Sequence, residues 1–218
     1  MNFQDTQLIG VLARAESTVS SLSSLLGGLV EKFAARGYSL YLVGGSVRDA
    51  LLGRLGNDLD FTTPARPEVV KEILDEWAET VWDTGIDFGT VSAAYKGQQI
   101  EITTFRSDSY DGQSRNPEVV YGDTLEGDLV RRDFKVNAMA IELLADASFT
   151  FHDPLHGLQD VADRVLDTPD KPEISFHDDP LRMLRAARFA SQLEFRVADR
   201  VVDAMRDMAG EIQRITVE

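Results

Sequence analysis

The sequence predicts an α+β fold in which a mixed sheet with flanking helices is followed by an all-helical unit. Three observations carry this reading. Short strand-like runs recur between residues 39 and 151, helical periodicity interrupts them, and beyond Asp160 strand signals vanish while helical spacing continues. The expected division is a helical segment over 1–37, a sheet-bearing unit over 38–153 and a helical unit over 154–218.

Taken in order, Leu22, Leu25, Leu26, Leu29, Val30 and Phe33 repeat at helical spacing. They predict a leading amphipathic helix that packs on the outside of the sheet. Strand-like runs follow at Tyr41–Val43, Leu59–Thr62, Thr90–Tyr95, Gln99–Phe105 and Ala138–Leu144, with a helix at Pro67–Glu79. The stretch Ser107–Asn116 reads as a polar loop, and Tyr110–Pro117, short of apolar residues, as a mobile one. Helices are expected at Leu158–Arg164, Asp179–Gln192 and Ala198–Gly210.

Composition narrows the function classes. No apolar run reaches eighteen residues, which excludes a transmembrane helix, and the N-terminus lacks the positive flank and apolar core of a signal peptide. Cysteine is absent, which fits a reducing, cytoplasmic setting. With 22 Lys+Arg against 37 Asp+Glu, broad nonspecific nucleic-acid binding is disfavoured. Yet Arg182, Arg185, Arg188, Arg196 and Arg200 crowd one short segment, so a local basic surface fits within an acidic whole. His152, His156 and His177 are too scattered to suggest zinc.

The chemistry concentrates between Tyr41 and Thr63, YLVGGSVRDALLGRLGNDLDFTT. An apolar strand stops at Gly44-Gly45, where absent side chains let an anion approach backbone N–H groups. Ser46 adds a hydroxyl, and Val47–Leu52 reads as a short helix whose N-terminus favours phosphate. Asp58 and Asp60, two apart on a strand, share one face while Leu59 and Phe61 enter the core. Two such carboxylates repel unless a cation lies between them, and Mg²⁺ suits hard oxygen ligands completed by substrate phosphates.

With these residues in view, G-G-x-V-R-D followed by D-x-D resembles the head domain of the class II tRNA nucleotidyltransferases, the family of bacterial CCA-adding enzymes and poly(A) polymerases. Later segments agree in order: Asp87-Phe88-Gly89-Thr90, Arg131-Arg132-Asp133-Phe134 through Met139, Asp153-Pro154-Leu155-His156-Gly157 with Asp160, and Asp178-Asp179-Pro180-Leu181-Arg182 with Arg185, Arg188 and Phe189. The segment HDDPLRMLRAARFASQLEF is most similar to actinobacterial CCA-adding enzymes, although Asp178 stands where glutamate is usual.

The resemblance implies a polymerase-beta-like nucleotidyltransferase head over 38–153 and a helical neck over 154–218. It implies Asp58 and Asp60 as catalytic metal ligands, with Glu101 on a neighbouring strand as a third catalytic carboxylate. By alternation alone Glu101 is equally an outward polar residue. Gly44, Gly45, Ser46 and Arg48 fall to nucleotide binding, as do Arg132, Asp133 and Asn137, which can hold phosphate and a ribose 2′-hydroxyl. From composition alone the last group reads as a surface Arg–Asp pair.

Asp179 and Arg182, three apart on a helix, are neighbours. Their carboxylate accepts and their guanidinium donates, which matches the amino group and ring nitrogen of cytosine or adenine and mismatches uracil and guanine. The same spacing also describes an ordinary helix salt bridge. Arg185 would orient this pair or contact triphosphate, Arg188 and Phe189 would serve packing, and the D-P-x-x-G turn would act as hinge or scaffold.

The implied activity is template-independent addition of CCA to tRNA 3′ ends from CTP and ATP with Mg²⁺. Poly(A) addition, CC- or A-addition alone, and a noncatalytic nucleotide-binding module are the alternatives. The phrase Arg214–Glu218 has no helix stop, and the family continues here into RNA-binding domains. The sequence therefore reads as a fragment whose grip on the tRNA end lies mainly elsewhere.

Overall fold

The computed structural model describes residues 3–109 and 118–215. In chain order the elements are α1 (Phe3–Ala35), β1 (Leu40–Val43), α2 (Gly44–Leu51), β2 (Asp58–Thr63), α3 (Pro67–Asp75), β3 (Thr80–Trp82), β4 (Thr90–Tyr95), β5 (Gln98–Thr104), β6 (Arg106–Ser109) and β7 (Glu118–Tyr121). They continue with α4 (Leu125–Val130), β8 (Ala140–Leu143), β9 (Phe149–His152), α5 (Gly157–Asp163), β10 (Val165–Leu166), α6 (Pro172–Asp178), α7 (Leu181–Leu193), β11 (Arg196–Val197) and α8 (Asp199–Asp207).

The main sheet has the order β3-β4-β5-β2-β1-β8-β9. It is mixed, because β2 and β5 run parallel while every other pairing in it is antiparallel. Alternation sorts its faces. Leu40, Leu42, Leu59, Phe61, Val91, Ala93, Ile100, Ile102, Ile141 and Leu143 enter one core. Along α1, Val11, Ala15, Val19, Leu22, Leu26, Leu29 and Phe33 form the matching helical stripe, so this helix packs where its periodicity places it. Phe134, Ala186, Phe189 and Leu193 join the same core, which ties α7 to the sheet unit. A smaller cluster of Phe176, Met183, Val201 and Ala204 binds α6, α7 and α8 together.

Several boundaries differ from the sequence reading, each for a local reason. Helix α2 starts at Gly44 rather than Val47, because Gly44 takes φ +67° and turns the strand directly into the helix. Helix α3 stops at Asp75, and the Glu79 amide donates instead to Ala94 O, opening the edge strand β3. Ser107–Ser109 are not loop but part of β6, paired with β7; Tyr110–Pro117 lie outside the described residues. Ala138 and Met139 follow a 3₁₀ turn at Lys135–Asn137, so the next strand begins only at Ala140.

The region after Asp160 is not all helical. β10 and β11 form a two-residue parallel ladder, too short to leave a periodic signal. The expected helix over Asp179–Gln192 begins at Leu181, because Asp179 precedes a proline and is extended (φ −140°, ψ 99°). Among the described residues no helix is long and apolar enough to cross a membrane.

The turn at Asp153–Gly157 is held by its aspartate, whose Oδ1 accepts from Gly157 N at 2.7 Å and Oδ2 from Leu158 N at 3.0 Å. These bonds satisfy two of the orphan amides at the start of α5. A Cβ at position 157 would overlap the Lys135 carbonyl oxygen, so glycine is required by close approach. Gly157→Ala is expected to cost about 1–3 kcal/mol in urea unfolding. Gly210→Ala, where an added Cβ meets open space, is expected to stay within about 0.5 kcal/mol of wild type.

One residue of the same helix is poorly satisfied. Asp160 Oδ2 is buried without a partner. Burial, opposed by Lys135 and reinforced by Asp167, Asp163 and Asp153, pushes its carboxyl up to about 6. A raised carboxylate contributes stability that is complete below the ordinary aspartate value and is lost as pH climbs through about 6. Asp160→Asn is therefore expected to raise stability at pH 7 by about 1–2 kcal/mol, allowing for partial solvent screening, with the gain fading in melts near pH 4.

Candidate functional site

The second face of the sheet is polar at its centre. On β2, Asp58 and Asp60 point to the same side, and parallel pairing sets Glu101 of β5 directly opposite Asp60. These residues border a shallow cavity of about 270 Å³ with Gln99. Glu101 thus takes the position that its alternation allowed. Asp60 keeps a solvent-accessible face, yet its carboxyl lies where three cavities meet. Burial raises its pKa, then Glu101 and Asp58 add like charge against the relief from Arg132 and Arg48.

Ser46 does not offer its hydroxyl to a ligand. The residue is buried; Oγ donates to Asp58 O at 3.3 Å and accepts from Asp60 N at 2.9 Å. It fastens the start of α2 to the backbone that carries both aspartates.

Beside this face lies a cavity of about 520 Å³. Gly44, Gly45, Arg48, Asp60, Arg132, Asp133, Asn137, Asp179, Arg182 and Arg185 all line it, so every sequence-predicted nucleotide residue except Ser46 converges there. Arg106, Arg131, Leu181 and Phe189 complete the wall. Six arginines against three aspartates make it cationic within a chain of net charge −15. A Cβ on Gly44 would stand 2.9 Å from Arg132 Nη1 and 3.8 Å from Asp60 Oδ2, so the missing side chain keeps a passage between cation and carboxylate. Arg132 Nε is buried with no partner among the described residues, which leaves a guanidinium donor in the wall.

The expected contact groups Asp133 and Asn137 are buried and engaged with protein. Asp133 Oδ1 accepts from Phe134 N at 2.8 Å and Asn137 Nδ2 at 2.9 Å, while its Oδ2 pairs with Arg185 at 2.6 Å. Asn137 Oδ1 accepts from Arg48 Nη1 at 2.7 Å. The surface Arg–Asp pair allowed by composition is thus replaced by a buried network.

Asp179 and Arg182 line one cavity but are not helix neighbours, because Asp179 lies before Pro180 and outside α7. No salt bridge joins them among the described residues. Asp179 Oδ1 accepts from Leu181 N at 2.9 Å; Arg182 donates to Ser175 Oγ at 2.8 Å and Arg131 O at 2.9 Å. Each is therefore oriented by the protein without neutralising the other.

The sequence reading missed Asp128. It is 1% exposed and bonds Arg131 Nη2 at 2.8 Å and Arg132 Nη2 at 3.0 Å. Burial alone would raise its pKa, but Arg132 and Arg131 outweigh it and hold the carboxyl below the ordinary range. Its signal was the i,i+3 and i,i+4 spacing to the two arginines.

A family model described as the poly A polymerase head domain matches residues 40–167. The chain belongs to that family. It is 42% identical over 183 residues to a CCA-adding enzyme of Lactobacillus helveticus, covering 84% of this chain and 44% of that one. Among solved structures it resembles the CTP complex of the Bacillus stearothermophilus CCA-adding enzyme, with a TM-score of 0.75, 35% identity, and coverage of 89% of this chain and 45% of that one. A tRNA nucleotidyltransferase complexed with a primer tRNA and an incoming ATP analog gives a TM-score of 0.71 at 32% identity, over 84% of this chain and 50% of that one. The chain thus spans half the length of these family members or less.

The charge balance at Asp60 is directly measurable. Its raised pKa means that ionised Asp60 opposes folding at neutral pH, and that protonation removes the opposition as pH falls to the ordinary aspartate value. Asp60→Asn is expected to raise the melting temperature at pH 7 without divalent ions, and to lose that advantage near pH 4.

Proposed function

We propose that this chain carries the catalytic and nucleotide-selecting part of an RNA 3′-end nucleotidyltransferase that adds CCA to tRNA from CTP and ATP. The supporting observation is the arginine-rich cavity that Asp60, Asp179 and Arg182 line together. The names of the relatives agree with this reading. In it, residues 38–153 form the head and 154–218 the neck.

Asp58 and Asp60 would hold divalent cations, Mg²⁺ by the hardness of the oxygen set, with Glu101 beside them. Among the described residues no group of three or more His, Cys, Asp or Glu side chains is placed to hold a metal ion. Mg²⁺ takes one or two carboxylates and completes its shell with water and substrate phosphates. Bound there, such ions supply Lewis-acid activation of the attacking 3′-hydroxyl and charge neutralisation on the triphosphate.

The remaining work belongs to positioning. The Gly44-Gly45 backbone and Arg132 meet the triphosphate, with Asp128 holding the Arg132 guanidinium in place. Arg48, Asn137, Asp133 and Arg185 form the wall beneath the sugar and base. Asp179 accepts from the amino group of cytosine or adenine, and Arg182 donates to the adjacent ring nitrogen. Uracil and guanine present the reverse pattern and leave both protein groups mismatched, a discrimination of about 1–3 kcal/mol.

The test uses the full-length protein and tRNA lacking its terminal triplet. CTP alone is expected to add two residues and stop, and CTP with ATP to complete CCA; long A tails would favour the poly(A) reading instead. Asp58→Asn or Asp60→Asn should lower the extension rate by roughly 10²–10³-fold or more. Arg182→Ala should retain triphosphate binding but lose most of the preference for CTP over UTP. Loss of extension with selectivity unchanged would overturn the base-reading role.

A further inference from the structure

We propose that Asp49, outside the wall of the nucleotide cavity, is a positioning residue for base selection, acting through a relay that sets helix α7 against the Asp58/Asp60 face. This inference rests on the base-reading role of Asp179 and Arg182.

The relay runs without a break across four parts of the fold. Arg54, in the turn after α2, donates from Nε to Asp49 Oδ1 at 3.1 Å. Arg48 grips the same carboxylate with two bonds, Nε to Oδ1 at 3.0 Å and Nη2 to Oδ2 at 2.8 Å. Its third nitrogen, Nη1, donates to Asn137 Oδ1, and Asn137 Nδ2 donates to Asp133 Oδ1. Asp133 Oδ2 then receives Arg185 of α7, from Nε at 2.7 Å. The amide orientation of Asn137 follows from its partners, since the guanidinium only donates and the carboxylate only accepts.

A second contact crosses the same gap. The Arg48 guanidinium lies 5.2 Å from the Phe189 ring centre, which Arg185 and Arg188 also approach at 5.2 Å and 4.9 Å. Three like charges round one ring repel unless countered. Asp49 and Asp133 supply negative charge to two of them. Arg185 stands one helical turn beyond Leu181, so a shift of its anchor moves the first turn of α7, where Arg182 begins and against which Asp179 is capped.

Asp49 is absent from the lining that holds Asp179 and Arg182, although it borders the adjoining cavity with Asp58 and Asp60, so its removal deletes no contact at the base-reading end. It frees Arg48 on two sides and leaves the Asn137–Asp133–Arg185 branch without its outer anchor. The triphosphate end, held by Gly44, Gly45 and Arg132, stays in place. The expected signature is therefore a change in preference among bases rather than a uniform loss of nucleotide affinity.

The experiment measures equilibrium binding of CTP, ATP, UTP and GTP with Mg²⁺ to the full-length protein and its Asp49 variants, with thermal melts to verify folding. Asp49→Ala should lower the CTP-to-UTP affinity ratio by roughly tenfold while UTP affinity changes little. Asp49→Glu should restore part of the ratio, and Asp49→Asn, of the same volume, serves if alanine prevents folding. Asp49→Asn combined with Arg185→Ala should cost less selectivity than the sum of the single changes. A wild-type ratio retained by the folded variants, or strict additivity with Arg185→Ala, would overturn the relay alone. Equal binding of all four nucleotides by wild type would overturn the base-reading role, and this inference with it.

Discussion

The structure is organised around negative charge concentrated on one face of a sheet. Parallel pairing of β2 with β5 sets Asp60 opposite Glu101, and strand alternation brings Asp58 to the same side. Such a face is unfavourable when nothing cationic meets it: burial first, and then the like charge of Glu101 and Asp58, raise the Asp60 carboxyl. Arg132 and Arg48 supply the compensating charge, and each must itself be held. Asp128 holds Arg132, and Asp49 with Asn137 holds Arg48. Much of the polar architecture can thus be read outward from that register as successive answers to one electrostatic problem.

Much of this was legible in the sequence where the signal was local. Alternation alone put Leu59 and Phe61 in the core and the two aspartates together on the opposite face. Helical spacing from Leu22 to Phe33 likewise identified the buried stripe of α1. The register that brings Glu101 opposite Asp60 joins strands some forty residues apart, and no window of sequence encodes it. Short elements were lost for a related reason, because two-residue β10 and three-residue β3 gain their stability from partners rather than from pattern. Asp179 is different. Pro180 was a visible signal that the preceding residue would be extended, and helical spacing was applied across it.

Side-chain roles were less legible than side-chain locations. Nine of the ten residues expected to bind nucleotide line one cavity, but Ser46, Asp133 and Asn137 spend their hydrogen bonds on protein. A motif records which residues a site needs without separating those that touch a ligand from those that hold the ones that do. The difference lies in burial, which sequence spacing does not carry: Asp133 and Asn137 are buried, while Asp179 is only half-buried and, among the described residues, one of its oxygens has no protein partner.

Burying Arg48, Asp128, Asp133 and Asn137 is a costly way to fill space, since well-packed apolar side chains give equal or greater stability. What ionic groups provide instead is direction. Bidentate and single-donor bonds fix the angle between α2, the Lys135–Asn137 turn and α7 more narrowly than apolar contact does. The same economy of charge bears on ligand choice. At a distance a chain of net charge −15 repels a polyanion, whereas inside the cleft six arginines outnumber three aspartates. A compact triphosphate can sit wholly within that local field. A long RNA strand extends beyond it into the repulsive one. The local excess of guanidinium groups therefore gives the cleft a field opposite in sign to that of the chain as a whole.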